Sequence, residues 1–189
     1  MPLAANCVDA MSSFTKKTSP FEWRHYNICM AELHPHALFA GSFNPPTLGH
    51  YDLIKRGVKL FGSLRIVVAT NSSKAGLFSV DERLELLRHD LADLPVIIDS
   101  CSGLLVEYAK QHQIDVLLRG VRTVTDFEYE YSMALTNRQL DSEIETVFVM
   151  PNESYSYVSS RLIQEVYVNG GTLPQFVSEH VHQQLSKKN

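Results

Sequence analysis

A histidine at position 50 closes the segment Ser42-Phe43-Asn44-Pro45-Pro46-Thr47-Leu48-Gly49-His50, directly after the apolar run Ala37-Leu38-Phe39-Ala40-Gly41. That order reads as a strand, a tight turn and a helix start. Gly41 lets backbone approach a ligand closely, Pro45-Pro46 stiffens the turn, and a helix opening at Gly49-His50 offers unpaired N–H donors and a partial positive charge to an anion. An imidazole N–H there donates to an oxygen that gains charge during phosphoryl or nucleotidyl transfer; the competing reading is a histidine that only caps or packs locally. Lys74 follows an apolar run and a small polar loop, where its ammonium either reaches a phosphate as a point charge or is simply solvated. Arg119 and Arg122 flank Gly120, as two forks that clamp phosphates or as partners of Asp126, Glu128 or Glu130. Ser159 and Ser160 stand at a helix start, as N-caps or as donors to a terminal phosphate.

The elements that must position these groups alternate along the chain. Apolar runs predict strands over residues 37–40, 64–69, 96–98, 116–118 and 146–150, with helices over 49–61, 80–91, 104–112 and 124–139 between them and two more to the C-terminus. Ile54, Val58 and Phe61 share one helix face, as do Leu84, Leu87 and Leu91, and Ser79 with Glu82 forms a capping box. Ile66-Val67-Val68 and Val116-Leu117-Leu118 are apolar on both faces, as strands covered by helices on both sides must be. The expected class is α/β, a doubly wound five-stranded parallel sheet. Such sheets bind ligands beyond the carboxyl ends of their strands, and phosphate-compatible groups follow four of the five. Phe127 and Tyr131, four apart, would pack into the core or into a subunit contact.

Composition narrows the classes. With 189 residues and 44% hydrophobic content the chain is the size of one domain with a core of its own. A net charge of −4 gives no overall basic field for a polyanion, so nucleic acid is not expected as a partner. Cys7, Cys29 and Cys101 have no disulfide or zinc spacing, which suits a reducing compartment. No run approaches the roughly 20 apolar residues that span a bilayer, so no membrane association is expected. Residues 1–36 show no sustained period and read as an N-terminal extension, with Met30 a candidate start, ahead of a domain over 37–189. His34, His36, His89, His112, His180 and His182 lack a context like that of His50 and read as surface residues.

Thr47-Leu48-Gly49-His50 resembles the (T/H)xGH signature of the nucleotidylyltransferase superfamily. Residues 119–130, Arg-Gly-Val-Arg-Thr-Val-Thr-Asp-Phe-Glu-Tyr-Glu, resemble the RGxRxxxDFEYE block of phosphopantetheine adenylyltransferases of the bacterial coenzyme A pathway, and the likeness runs in order over about 37–185. The resemblance implies a Rossmann-like nucleotidylyltransferase fold and transfer of the adenylyl group of ATP to 4′-phosphopantetheine with Mg²⁺, giving dephospho-coenzyme A and pyrophosphate. It implies a cytoplasmic homohexamer. By this likeness His50, Lys74 and Ser42 are catalytic, with His50 stabilising the transition state. Ser42, Lys74, Leu105 and Arg119 hold phosphopantetheine. ATP is met by Ser42, Phe43, His50, Gly120, Val121, Arg122 and Glu130 and by Tyr155, Ser156, Tyr157, Val158, Ser159, Ser160 and Arg161. Asn44 stands where that family often has aspartate, and Arg161 where a small hydroxyl residue is usual. The opening motif also resembles nicotinamide or nicotinate mononucleotide adenylyltransferases, and a nucleotide-binding regulatory module without catalysis is the third reading.

Overall fold

The computed structural model describes residues 36–70 and 76–188. The N-terminal extension, apart from His36, and the candidate start at Met30 lie outside the described residues, as does Lys74.

Strands β1 (Ala37–Gly41), β2 (Leu64–Thr70), β3 (Val96–Ser102), β4 (Val116–Gly120) and β5 (Glu145–Val149) alternate with helices α1 (Leu48–Phe61), α2 (Val80–Asp90), α3 (Leu105–Gln111) and α4 (Val124–Leu140). Helices α5 (Ser160–Val168) and α6 (Glu179–Ser186) follow, each preceded by a short 3₁₀ turn. All pairings are parallel and the strand order is β3-β2-β1-β4-β5. The chain winds outward from β1 in one direction, then returns to place β4 on the other side of it. Adjacent crossovers therefore diverge between β1 and β4, which opens a crevice at their carboxyl ends.

Alternation along the central strands sorts side chains onto two faces. Phe39, Leu64, Ile66, Val68 and Leu118 pack with Ile54 of α1 and Leu84, Leu87 and Leu91 of the α2 region, whereas Leu38, Ala40, Val67 and Leu117 pack under Val106, Tyr108 and Ala109 of α3. Phe78, Leu86, Ile163, Tyr167, Val181 and Leu185 join α5 and α6 in a third cluster. Leu87 has no exposed surface. Leu87→Ala is expected to cost about 2–5 kcal/mol, seen as a lower urea midpoint with an unchanged slope.

Two strands run two or more residues further than their apolar residues predict. β3 continues through Asp99, Ser100, Cys101 and Ser102 because main-chain pairing to β2 holds as far as Thr70 with Ser102, and an edge strand tolerates polar side chains. β4 includes Arg119 and Gly120, paired with Phe148 and Val149 of β5. Helix α4 buries none of its residues, with Phe127 43% and Tyr131 49% exposed. Of the two alternatives for that pair, the core is thus corrected: the two rings stack on each other at 5.8 Å over the edge of Phe148.

Candidate active site

The turn after β1 is held from three directions. Phe43, with no exposed surface and a left-handed φ of 46°, drives its ring into the core edge-on to Phe39, a backbone geometry uncommon for a residue other than glycine and kept by its packing. The Asn44 carboxamide oxygen accepts from the Phe78 N–H at 3.1 Å, and the Asn44 main-chain carbonyl accepts from Gln164 Nε2 at 2.6 Å. Gly76 admits that carboxamide, since a Cβ at 76 would lie 1.6 Å from Asn44 Nδ2. The Arg83 guanidinium donates to the Ser42 carbonyl at 2.8 Å. Asn44 therefore fastens the turn to the segment after β2 with a neutral amide.

This turn delivers Thr47 as the N-cap of α1 and His50 as its third helical residue. The Thr47 N–H donates to His50 Nδ1 at 3.0 Å, and the Thr47 hydroxyl lies 2.9 Å from the same nitrogen. A backbone N–H can only donate, so Nδ1 carries the lone pair and the neutral ring holds its proton on Nε2. The ring packs on Phe43 with centroids 5.0 Å apart. Burial, and then the Arg122 charge, hold the His50 pKa down to about 4. The imidazole at neutral pH is thus an uncharged N–H donor with a fixed tautomer.

That depression links folding to pH. The unfolded chain, with a histidine near 6.5, binds a proton that the native ring refuses. The contribution is intact above about pH 6.5 and is lost as pH falls toward about 4, on the order of 3 kcal/mol. Denaturant titrations at pH 7 and pH 4.5 are expected to show a larger loss for the native chain than for His50→Asn; equal losses would contradict it.

At the other side of the crevice, Arg119 and Arg122 are both anchored by α4. Arg119 donates from Nε and Nη2 to the two Glu130 oxygens at 2.7 Å each, and from Nη1 to the Ala40 carbonyl at 2.8 Å. Arg122 pairs with Asp126 and donates to the Val158 carbonyl at 2.7 Å. Each arginine takes one of the carboxylates open to it, while both still face cavities. Gly120 between them has no room for a side chain, since a Cβ there would stand 2.3 Å from Leu53 Cδ1.

A cavity of about 280 Å³ lies over this crevice, lined among others by Ser42, His50, Arg119, Gly120, Arg122, Tyr155, Val158, Ser159, Ser160 and Arg161. Residues from the ends of β1, β4 and β5 converge there. Ser159 caps α5 by accepting from the Leu162 N–H at 3.1 Å, and the Ser160 hydroxyl donates to the Pro45 carbonyl at 2.8 Å. A second cavity of about 420 Å³ shares Ala40, Ser42 and Arg119 with the first and is otherwise mostly apolar, with Leu104, Leu105, Val106, Met133 and Ala134 in its walls. Glu130 lines this second cavity with Leu105. Phe43 supports the site from beneath, and Val121 is buried behind it, its N–H on the Val149 carbonyl at 3.1 Å. The Ser156 hydroxyl donates to the Glu153 carbonyl, and the exposed Tyr157 ring stands edge-on to Phe176 at 5.3 Å. Neither residue lines the two cavities.

The sequence profile of the cytidylyltransferase-like family matches residues 38–166. This chain belongs to that family. The cytidylyltransferase-like match spans the turn, both arginines and the start of α5, and puts the chain in the nucleotidylyltransferase superfamily, a nucleotidyltransferase by family. Two structures of a bifunctional NMN adenylyltransferase/ADP ribose pyrophosphatase from Francisella tularensis are similar to it. The one complexed with AMP and a manganese ion has a TM-score of 0.62 at 15% identity, and the other 0.64 at 14%. Each alignment covers 80% of this chain and 48% of the other, so the chain spans about half the length of that bifunctional protein. A protein assigned as a nicotinate-nucleotide adenylyltransferase from Vibrio parahaemolyticus has a TM-score of 0.56 at 15% identity, over 80% of this chain and 91% of its own. These likenesses are of fold. Among the described residues, no helix is long and apolar enough to cross a membrane.

Two site residues carry no local sequence signal for their roles in this cytidylyltransferase-like site. Thr47 sits in the turn motif, yet its hold on Nδ1 depends on the cap geometry. Arg83 belongs to no motif and reaches Ser42 across 41 positions of sequence.

Proposed function

We propose that this nucleotidyltransferase transfers the adenylyl group of ATP to 4′-phosphopantetheine, giving dephospho-coenzyme A and pyrophosphate. The observation that carries the reading is the Arg119 guanidinium standing in the wall common to the His50 cavity and the apolar second cavity. A nucleotide with its α-phosphate at His50 and an acceptor with a long uncharged arm along Leu105 and Met133 would meet at that wall and at Ser42. The match of residues 119–130 to the phosphopantetheine adenylyltransferase block supports this acceptor.

In the proposed step an acceptor phosphate oxygen attacks the α-phosphorus while the bond to the bridging oxygen of the β-phosphate breaks, and the electron pair leaves with pyrophosphate. A phosphate monoester is already nucleophilic at neutral pH, so no base is needed. The neutral His50 Nε2–H donates to the α-phosphate oxygen that gains charge, and the two arginines, with Lys74, hold phosphates in place. Among the described residues, no group of three or more His, Cys, Asp or Glu side chains is arranged to hold a metal ion. The proposed Mg²⁺ would arrive with the ATP phosphates and offset their charge, and no residue is assigned to it.

A second reading, adenylyl transfer to nicotinamide or nicotinate mononucleotide, is favoured by the names of the fold neighbours. Incubation with ATP and Mg²⁺ plus each acceptor in turn, read by pyrophosphate release and product mass, is expected to give turnover with phosphopantetheine. Turnover with a mononucleotide alone would favour the second reading, and ATP binding without pyrophosphate from any acceptor would favour a regulatory module.

The proposal includes a cytoplasmic homohexamer. Phe127, Tyr131 and Leu135, all more than two-fifths exposed on α4, supply an apolar surface for contact between copies. Phe127→Asp is expected to lower the sedimentation coefficient; an unchanged value would remove α4 from the contact.

A further inference from the structure

The segment between β5 and α5, residues 151–158, forms one wall of the His50 cavity through Pro151, Tyr155 and Val158. Its own main-chain bonds are local. The Tyr155 N–H donates to the Asn152 carbonyl at 2.9 Å, the Ser156 N–H to the Glu153 carbonyl at 3.1 Å and the Val158 N–H to the Tyr155 carbonyl at 3.1 Å. Such turns set the shape of a segment and leave its place on the fold open. Among the described residues, two hydrogen bonds tie it to distant parts of the chain. Arg122 holds its end at the Val158 carbonyl. Asp52 holds its start, where the Asn152 N–H donates to Asp52 Oδ2 at 2.8 Å across 100 positions of sequence.

The tie at the start comes from α1, the helix that carries His50. Gly49, Asp52 and Arg56 stand at spacings of three and four, so they share one face of α1, and His50 does not lie on it. A Cβ at Gly49 would be 3.4 Å from Tyr155 Cβ, so this face runs along the segment at both 152 and 155. The Asp52 carboxylate is 22% exposed, and the same Oδ2 takes Arg56 Nε at 2.9 Å. That pair, within one helix and open to water, is of a kind that contributes little. The bond to Asn152 differs, since it sets a charged acceptor on a main-chain donor three residues ahead of Tyr155. The Asn152 side chain closes the turn between them by accepting from the Ser154 N–H at 3.0 Å. A displacement at 152 is therefore passed on to 155. Asp52 does not itself line the His50 cavity, and neither Pro151 nor Tyr155 lines the apolar one.

We infer that Asp52 is a positioning residue for the nucleotide: acting through the Asn152 N–H, it sets where Pro151 and Tyr155 stand in the wall of the His50 cavity, so that nucleotide capture depends on it and acceptor capture does not. The inference rests on the adenylyl-transfer reading for the occupant of that cavity. One helix thereby carries both His50, at the reacting phosphate, and the anchor of the facing wall. A carboxylate that acted by charge alone would repel a triphosphate, and its removal would tighten binding. A carboxylate that acts as an anchor weakens binding when it is removed. The two roles have opposite signs.

The test is titration calorimetry of the full chain with ATP and, separately, with 4′-phosphopantetheine, for native protein, Asp52→Ala, Asp52→Asn and Arg56→Ala. Asp52→Ala is expected to weaken ATP binding about tenfold, on the scale of one hydrogen bond to a charged group, and to leave phosphopantetheine binding unchanged. Asp52→Asn keeps an oxygen for the Asn152 N–H and is expected to stay within about threefold of native. Arg56→Ala removes the pair within the helix, keeps the anchor and is expected to bind ATP as native protein does. Unchanged or tighter ATP binding in Asp52→Ala, no recovery in Asp52→Asn, the same loss in Arg56→Ala, or an equal loss for phosphopantetheine would overturn the assignment. Turnover with ATP and phosphopantetheine is measured alongside, and Asp52→Ala is expected to raise the ATP KM with kcat near native. Native protein that shows the expected ATP pattern and no turnover rejects the acceptor and keeps the role of Asp52; normal turnover with an unchanged ATP KM in Asp52→Ala rejects that role and keeps the reaction.

Discussion

His50→Ala is expected to lower kcat by about 10²–10³, the scale for losing one donor to a developing oxyanion, while nucleotide affinity and the melting temperature stay near native values. The reason is the fixed tautomer. The Thr47 N–H occupies Nδ1, so the only ring proton is on Nε2, and a pKa near 4 keeps the ring uncharged throughout the neutral range. Such a ring stabilises charge as it forms and attracts the ground-state triphosphate little, so its loss falls on kcat rather than on binding. The kcat of the native chain is correspondingly expected to show no histidine titration between about pH 6 and 8. Near-native kcat in the variant, or a step in that window that His50→Ala abolishes along with a rise in KM, would contradict this role.

Arg119→Lys is expected to raise the acceptor KM by about 10- to 100-fold, on the scale of lost hydrogen bonds to a charged group. Lysine keeps the charge but cannot span the two Glu130 oxygens and the Ala40 carbonyl together, because its ammonium is a single point on a flexible stem. The residue in the wall between nucleotide and acceptor would then be free to turn away from both. Glu130→Gln should act in the same direction with the arginine still present, since the neutral amide holds the fork less firmly. Calorimetry with ATP is expected to register a smaller loss than calorimetry with 4′-phosphopantetheine. Equal losses for the two ligands would place Arg119 with the nucleotide.

Much of this was legible in the sequence because it depends on local rules. Val67 and Val68 in one run, and Leu117 and Leu118 in another, have apolar neighbours on both faces and announce a covered parallel sheet. Ser79 and Glu82 bracket the first turn of α2, and the pair closes as a capping box. The place of His50 at the start of α1 also follows from its own turn. The ends of β3 and β4 were hidden because main-chain pairing, indifferent to side chains, extends both strands into Asp99 and Arg119. Partner choice was hidden for another reason. Asp126, Glu128 and Glu130 lie within five residues of one another, and the fold pairs Arg119 with Glu130 and Arg122 with Asp126. The bond from Asn44 to Phe78 joins residues 34 apart in sequence, so no local pattern could show that this amide pins the turn.

In the proposed step His50 is a donor and never a nucleophile, with the acceptor oxygen attacking and pyrophosphate leaving on opposite sides of one phosphorus. The stereochemical course at that atom tests this most directly. With ATP made chiral at the α-phosphorus by sulfur and 4′-phosphopantetheine as acceptor, the account predicts inversion of configuration, the outcome of a single in-line displacement. Retention would mean two displacements through a nucleotide bound covalently to the enzyme, and would contradict it.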